Sequence, residues 1–447
     1  MPDVGFIPEV FLGLTLVLLI LGIFQPIAGF LAYLIIFFVR FGEVFPFLGE
    51  IRFELLAALF VGTRLLLSGT SVHVLPAANP VNKSLLSFTM VVLASVPFAV
   101  DSGVAWDAAV DFLKIVALFI FAVCLINTLS EFRIVLWTLV LLTVWISLEP
   151  TTQFFQGRYF VEADPSGDVR RMVGSTGYFL SPNALGNSIV QILPFVGYMV
   201  LVESSVLRRF LLLAAAALAV SAVILTGSRG AFSGLLLAFV LIAYKHRSNR
   251  IVRFGSLLVL LAIILTLSPE YAQRNLTILQ LGQSDLSAHS RIDGLVHGVS
   301  MLIRRPILGV GIGNYPVARS RWFGWNLWAH NHYGELFGEL GLLGTAAWFW
   351  FLTTIFSNIR ATRRQLGNGG EHTVWIRAAA DAMEISLWVR LLLGMYNHSL
   401  TAYYWYLIAG LSVAMLRLAS PPSVIPVSHP SARRGEVLHG PQKASFD

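Results

Sequence analysis

Long apolar runs, separated by short polar breaks, dominate this chain. Predominantly apolar runs, fifteen to twenty-four residues long, recur near 7–23, 25–40, 53–69, 83–100, 112–128, 132–149, 184–203, 208–226, 230–245, 254–268, 334–357, 379–397 and 400–418. A run of that length, with few charges, is what a helix needs to cross the hydrocarbon core of a bilayer. The pattern therefore predicts an all-α, polytopic integral membrane protein. Basic residues orient it: Arg208 with Arg209, then Lys245, Arg247, Arg250 and Arg253, then Arg360, Arg363 and Arg364 mark cytoplasmic loops. Asp101, Asp107 and Asp111, beside Lys114, suit the outer side. Counting back through thirteen spans leaves the N-terminus outside. A re-entrant or miscounted segment among 7–69 brings the number to about twelve.

This orientation divides the chain into N-terminal spans (1–149), an outer loop (150–183), central spans (184–268), a large outer loop carrying short helices (269–333), C-terminal spans (334–418) and a tail (419–447). The tail is rich in Pro and Ser, lacks periodicity, and is expected to be disordered. No internal repeat is visible.

Composition agrees. Of 447 residues, 56% are hydrophobic and 12% charged, with a mean hydropathy of +0.74; a soluble domain carries about twice that charge fraction. The N-terminus, MPDVGFIPEV, is acidic and lacks the basic start of a secretory signal, so the first span is expected to be retained. Cys124 is the single cysteine, which excludes a disulfide framework within the chain. The net charge of +7 is spread over short loops and the tail, as the positive-inside bias requires, and does not point to nucleic acid.

Polar chemistry gathers between Pro269 and Tyr333 and continues into AHNHYGELFGELGLLG, Ala329 to Gly344. Within it, Ile292, Leu295, Val296, Val299, Leu302 and Ile303 are spaced by three and four, which predicts an amphipathic helix lying on a surface, such as the membrane interface. Ser290 with Asp293 reads as a capping box, which would place Arg291 in the first helical turn. Thr226-Gly-Ser-Arg-Gly230 falls at an outer turn and puts Arg229 at the start of the next helix. A cation there opposes the helix dipole, by roughly 0.3–1 kcal/mol. Helix N-termini attract anions, and a guanidinium adds a fork matched to phosphate. The bland alternative is a pair of arginines anchoring helices at the interface.

His330, where the chain re-enters the membrane, is the candidate general base, because an imidazole near neutrality accepts a hydroxyl proton. The alternative is a histidine that caps the next helix. His330, His332 and Glu335 have loosely metal-like spacing, but no further cluster supports a metal. Gly309-Val-Gly-Ile-Gly313-Asn314 lacks the βαβ context of a dinucleotide loop and reads as a tight turn. The outer loop adds Arg158, Arg170 and Arg171 as a possible second basic wall. Ser181 or Asn183 should cap the span after it. Arg64, Asp381, Glu384 and Arg390 lie within spans and should face the bundle interior, with Arg377 and Asp381 as a structural pair. Asn397 and His398 fall at the outer end of their span. Trp322, Trp325 and Trp328 read as interfacial anchors rather than sugar platforms.

SPNALGNSIVQILPF, LTGSRGAFSGLLLA, SRIDGLVHGVSMLIRRPILGVGIGNYP and AHNHYGELFGELGLLG, in that order, resemble the O-antigen ligase and O-antigen polymerase superfamily over about 170–415. The resemblance implies a bacterial inner-membrane glycosyltransferase working at the periplasmic face. Its donor would be a glycan on a polyprenyl diphosphate and its acceptor a lipid core or another glycan, with no cofactor, metal or nucleic acid. It also implies roles for the arginine of the GSRG turn (Arg229), the arginine opening the large loop (Arg291) and the histidine before Asn-x-Tyr (His330). Arg158, Arg171, Asn183, Asn331, His332 and Tyr333 are the expected substrate-binding residues; His332 is not expected to be catalytic. A ligase, a polymerase of repeat units and a protein O-glycosyltransferase share this pattern. A transporter of lipid-linked glycans would instead show repeated halves and discontinuous helices.

Overall fold

The computed structural model describes residues 7–67, 79–164, 167–266, 271–272, 286–367 and 369–419. The tail from residue 420, and most of 267–285, lie outside the described residues, so the expected disordered tail does too.

Seventeen helices make up about 80% of the described chain. The first six are α1 (Ile7–Gly22), α2 (Pro26–Val39), the short α3 (Phe41–Val44) and α4 (Pro46–Glu50), α5 (Phe53–Leu67) and α6 (Pro80–Ser95). Next come α7 (Ser102–Leu125), α8 (Leu129–Phe155), α9 (Pro182–Val202), α10 (Val206–Leu225), α11 (Arg229–Lys245) and α12 (Arg250–Thr266). The last five are α13 (Leu286–Arg304), α14 (Tyr315–Phe323), α15 (His332–Gln365), α16 (Glu371–Leu393) and α17 (Tyr403–Ala419). Five of these, α7, α8, α9, α10 and α15, are long and apolar enough to cross a membrane. The other expected spans coincide with helices that are shorter or, for α16, more charged, so five of the about twelve expected crossings have a helix of spanning length and apolarity among the described residues.

The packing is that of a protein solvated by lipid. In α10, Ala215, Ala219 and Ala222 are buried against α9, while Leu207, Phe210, Leu211 and Leu213 point outward. Small residues let backbones approach, and large apolar ones meet an apolar solvent. Helix α2 is apolar on every side and almost wholly buried among α1, α5, α7 and α8. Aromatic edges fill the centre: Phe88 on Phe112, Phe112 on Tyr406, and Phe38 on Tyr403 and Tyr404.

Among the described residues, the chain departs from an all-α reading once. Phe160–Asp164 (β1) and Gly167–Arg171 (β2) form an antiparallel hairpin in which Glu162 faces Val169 and Phe160 faces Arg171. It sits in the 150–183 loop, of which the first residues continue α8.

The charges within spans face inward, but not in the expected pairs. Asp381 bonds Lys245 at 3.0 Å and Arg363 at 2.8 Å, and the same two cations hold Glu384. Arg377, one turn before Asp381, is exposed, and Asp381 pairs with the two cations from α11 and α15 instead. Arg64 donates to the Ile23 carbonyl, at the end of α1. Lys245 and Arg363 lie in the last turns of α11 and α15. Arg229 opens α11, so the seventeen residues of that helix hold Arg229 and Lys245 about 24 Å apart.

Candidate functional site

Helix α11 starts where the sequence places it. Ser228 caps it by accepting from the Ala231 amide, and Arg229 is its first residue, buried to 7% exposure. Thr226 closes the preceding turn, and Gly227 takes a left-handed φ of +56° that a side chain would strain.

The hairpin lies directly on this turn. The Met172 amide bonds the Leu225 carbonyl, and Arg171 Nε donates to the Thr226 carbonyl at 2.9 Å. The same guanidinium pairs with Glu162 and donates to Asn183 Oδ1. Arg171 and Asn183, expected to contact substrate, are thus engaged in holding the Arg229 turn. Ser181, not Asn183, caps α9. Arg158 lies just past α8, with its side chain exposed.

Arg291 reaches the same region from α13. This helix already runs from Leu286, so Ser290 is not its cap and Arg291 stands in its second turn; the expected capping box is overruled by helix continuing upstream. Arg291 Nε donates to the Tyr396 carbonyl at 3.3 Å, and its guanidinium lies 5.5 Å from the Tyr396 ring centre. A Cβ on Gly230 would stand 2.9 Å from Tyr396 Cβ. Tyr396, in the turn after α16, therefore touches both the Arg291 side chain and the residue beside Arg229.

His330 completes the cluster. It adopts a left-handed φ of +47°, rare outside glycine and of order 1–3 kcal/mol in cost. Neighbours on both sides hold it there. Asn331 caps α15 by accepting from the Tyr333 and Gly334 amides at 3.0 and 3.1 Å. Ala329 packs against Gly294, where a Cβ would meet its carbonyl oxygen at 1.8 Å. Gly298 meets Gly334 in the same way, so the GLVHG spacing of α13 is a backbone-to-backbone contact. Burial, then Arg291, then Arg319 press the His330 pKa below its ordinary value. At neutral pH it is an unprotonated imidazole beside cations, able to take a proton.

Two further neighbours join it: Arg319, which the sequence did not single out, and His398, which was expected at the outer end of its span and able to line the same cavity. Arg319 of α14 is buried and donates to the Trp328 carbonyl at 3.1 Å. His398 lies 5.5 Å from His330, ring centre to ring centre, and stacks on Trp328 at 5.0 Å. Burial, with His330 and Arg390 nearby, pushes the His398 pKa down to about 4. Trp328 is thus part of the cluster, whereas Trp325 is 62% exposed and suits the anchoring expected of it.

His332 and Tyr333 turn away. The His332 side chain is fully buried between Trp348 and Trp405, and Tyr333 donates to the Leu391 carbonyl. With Asn331 engaged as a cap, the three residues expected to touch substrate after His330 form the socket that fixes it. Glu335 accepts from the Ser399 and Leu400 amides at 2.7 and 2.9 Å and so holds the loop bearing His398. Glu339 accepts from the Gly313 and Tyr315 amides. Their roles are internal, which separates Glu335 from the metal-like spacing. Among the described residues, no three of His, Cys, Asp or Glu gather as metal ligands do.

The GVGIG run is the tight turn its sequence suggests, with Gly309, Gly311 and Gly313 all at positive φ. Helix α15 breaks opposite it, at Gly341 (φ +61°, ψ −157°). The freed Gly338 and Glu339 carbonyls accept from the Val310 and Gly311 amides at 2.8 and 2.9 Å, and the Leu342 amide donates to the Pro306 carbonyl. A break in a membrane helix is tolerated when other backbone satisfies it in this way.

Residues 214–349 match the family model described as O-antigen ligase. Over this segment the chain is similar to the O-antigen ligase superfamily. It holds Arg229, Arg291, Arg319 and His330, whereas Tyr396 and His398 lie beyond it. No curated protein matches the chain. The family and the apolar helices together support a multi-pass membrane protein of ligase or polymerase type, acting in polysaccharide biosynthesis.

Proposed function

We propose that this protein transfers a glycan from a polyprenyl-diphosphate carrier to an acceptor hydroxyl at the outer, periplasmic face of the inner membrane, as an O-antigen ligase does. The observation that carries the reading is His330, its pKa lowered, in one cluster with Arg291 and Arg319. Tyr396 bridges this cluster to the N-terminus of α11, where Arg229 stands.

A base and a set of arginines divide the chemistry between them. His330 takes the proton of the acceptor hydroxyl as its oxygen attacks the anomeric carbon. The bond from that carbon to the diphosphate breaks, and the polyprenyl diphosphate departs with the bonding pair. Arg229 and Arg291 stabilise the charge that develops on it, Arg229 with the helix N-terminus behind it. Attack opposite the leaving group inverts the anomeric centre. The positive charge at the diphosphate comes from guanidinium groups in this mechanism, which is why the reading is metal-independent. The donor cannot leave the bilayer, so its diphosphate must be met at the interface, where α11 begins. Arg158, exposed just past α8, is the expected contact for the glycan.

The test is direct. Purified protein is incubated with a polyprenyl-diphosphate glycan, with and without a lipid-core acceptor, and products are resolved by size. Product formed only with the core acceptor, and lost in His330→Ala, is the expected result. A ladder of longer glycans without the core would make the protein a polymerase of repeat units. No transfer to core, glycan or protein acceptor, with donor intact, would overturn the reading and favour transport, which the break at Gly341 would suit.

A further inference from the structure

A second recess lies towards the opposite end of α11 from Arg229. A groove of about 600 Å³ opens between α9, α10, α11 and α12, walled by side chains such as Leu193, Leu213, Val220, Phe239 and Val259. It adjoins a polar recess of about 430 Å³ lined by His246, Asn249, Thr373, Arg377 and Asp381. Tyr198, Leu201 and Val252 line both, so the two form one continuous cleft, apolar along its length and polar at its mouth.

Two buried polar atoms face this cleft without a partner among the described residues. Tyr198 is 3% exposed, yet its hydroxyl bonds nothing. His246 Nε2 is likewise buried and unpartnered, its ring 5.5 Å from that of Tyr198. Buried polar groups are normally bonded, and each one left alone costs about 1–3 kcal/mol. The charge at the mouth is positive. Asp381 is already neutralised by Lys245 and Arg363, while Arg377 is exposed, as are Arg247 and Arg250 on the neighbouring turn and at the start of α12.

We propose that this cleft binds an anionic phospholipid, with an acyl chain in the groove and the phosphate at the mouth. Arg377 faces the phosphate, and the Tyr198 hydroxyl donates to a phosphate or ester oxygen. The apolar groove calls for a chain, and the basic mouth calls for an anion; a phospholipid supplies both in one molecule. The site is separate from the His330 cluster and does not depend on the proposed reaction.

Native mass spectrometry of the full chain in detergent would read the binding. Phosphatidylglycerol, phosphatidylcholine with the same chains, and glycerol 3-phosphate would be titrated in turn. Phosphatidylglycerol should bind about tenfold tighter than phosphatidylcholine, the effect of one or two basic residues near an anionic headgroup. Arg377→Gln should abolish most of that preference, and Tyr198→Phe should weaken binding several-fold. Ala217→Trp, at an exposed position lining the groove, should displace both lipids without changing thermal stability. Equal binding of the two lipids would overturn the proposal. So would unchanged binding in Ala217→Trp, or displacement of phosphatidylglycerol by glycerol 3-phosphate, which would mark a simple anion site.

Discussion

Gly294 lies against Ala329 so closely that a Cβ would stand 1.8 Å from the Ala329 carbonyl oxygen. This contact locks α13 to the turn before α15, and Arg291, one helical turn earlier, comes with it to His330. Gly294→Ala should therefore push the two apart. Overpacking of this kind costs about 1–3 kcal/mol, and thermal unfolding of the detergent-solubilised protein would register it. Glycan transfer should fall more than the melting temperature alone explains, because the distance from Arg291 to His330 changes. An active, equally stable Gly294→Ala protein would contradict the contact.

His330→Ala should abolish transfer while leaving the protein in the membrane at normal levels. General-base contributions are typically 10²–10⁴-fold. Quantitative blotting beside the transfer assay separates lost chemistry from lost protein. Full activity would remove His330 from the mechanism.

Arg229→Lys and Arg291→Lys should each impair transfer, since an ammonium keeps the charge but loses the planar fork. A fully active lysine variant would argue against bidentate binding of the diphosphate at that position.

The pH profile follows from the lowered His330 pKa. The base works only when neutral, so transfer should be flat around pH 7–8 and fall on the acid side, with an inflection below about 6.5. Stability should follow the same sign. His330 and His398 resist protonation in the folded chain, whereas the unfolded chain takes up protons below about 6.5. Their contribution is complete above that pH and is lost as pH falls through the folded values, about 4 for His398. His398→Gln should flatten the acid limb of the melting curve, measured by thermal unfolding from pH 4 to pH 8.

Glu335→Gln should loosen the loop that carries His398. The carboxylate accepts from the Ser399 and Leu400 amides, and bonds to a charged group are worth about 1.5–3 kcal/mol. A lower melting temperature with partial loss of transfer is the expected outcome; an amide oxygen can still accept, so the loss should be smaller than in Glu335→Ala.

Much of this protein is local and was legible in its residues. Apolar runs mark the helices because a membrane leaves the backbone few other ways to satisfy itself. Ser228 before Arg229, and three glycines in GVGIG, act on their immediate neighbours, so the helix start and the tight turn follow from the sequence. The His330 neighbourhood is nominated by residue type alone. Tertiary structure decided the rest. Ser290 and Asp293 have the spacing of a cap, but helix already present from Leu286 overrides it, because capping matters only where amides are unpaired. Arg171 and Asn183 resemble substrate ligands until the hairpin brings them to Glu162 and Thr226. Asp381 chooses Lys245 and Arg363 over the residue four positions away, because ions in an apolar interior pair with whatever packing brings close. His398 reaches His330 from 68 positions along the chain, through the bonds Glu335 makes and the stacking on Trp328, and no spacing encodes such a meeting. Sequence sets which backbone segments fold into helices; which side chains share a site depends on contacts between distant segments, and these exist only once the helices have packed.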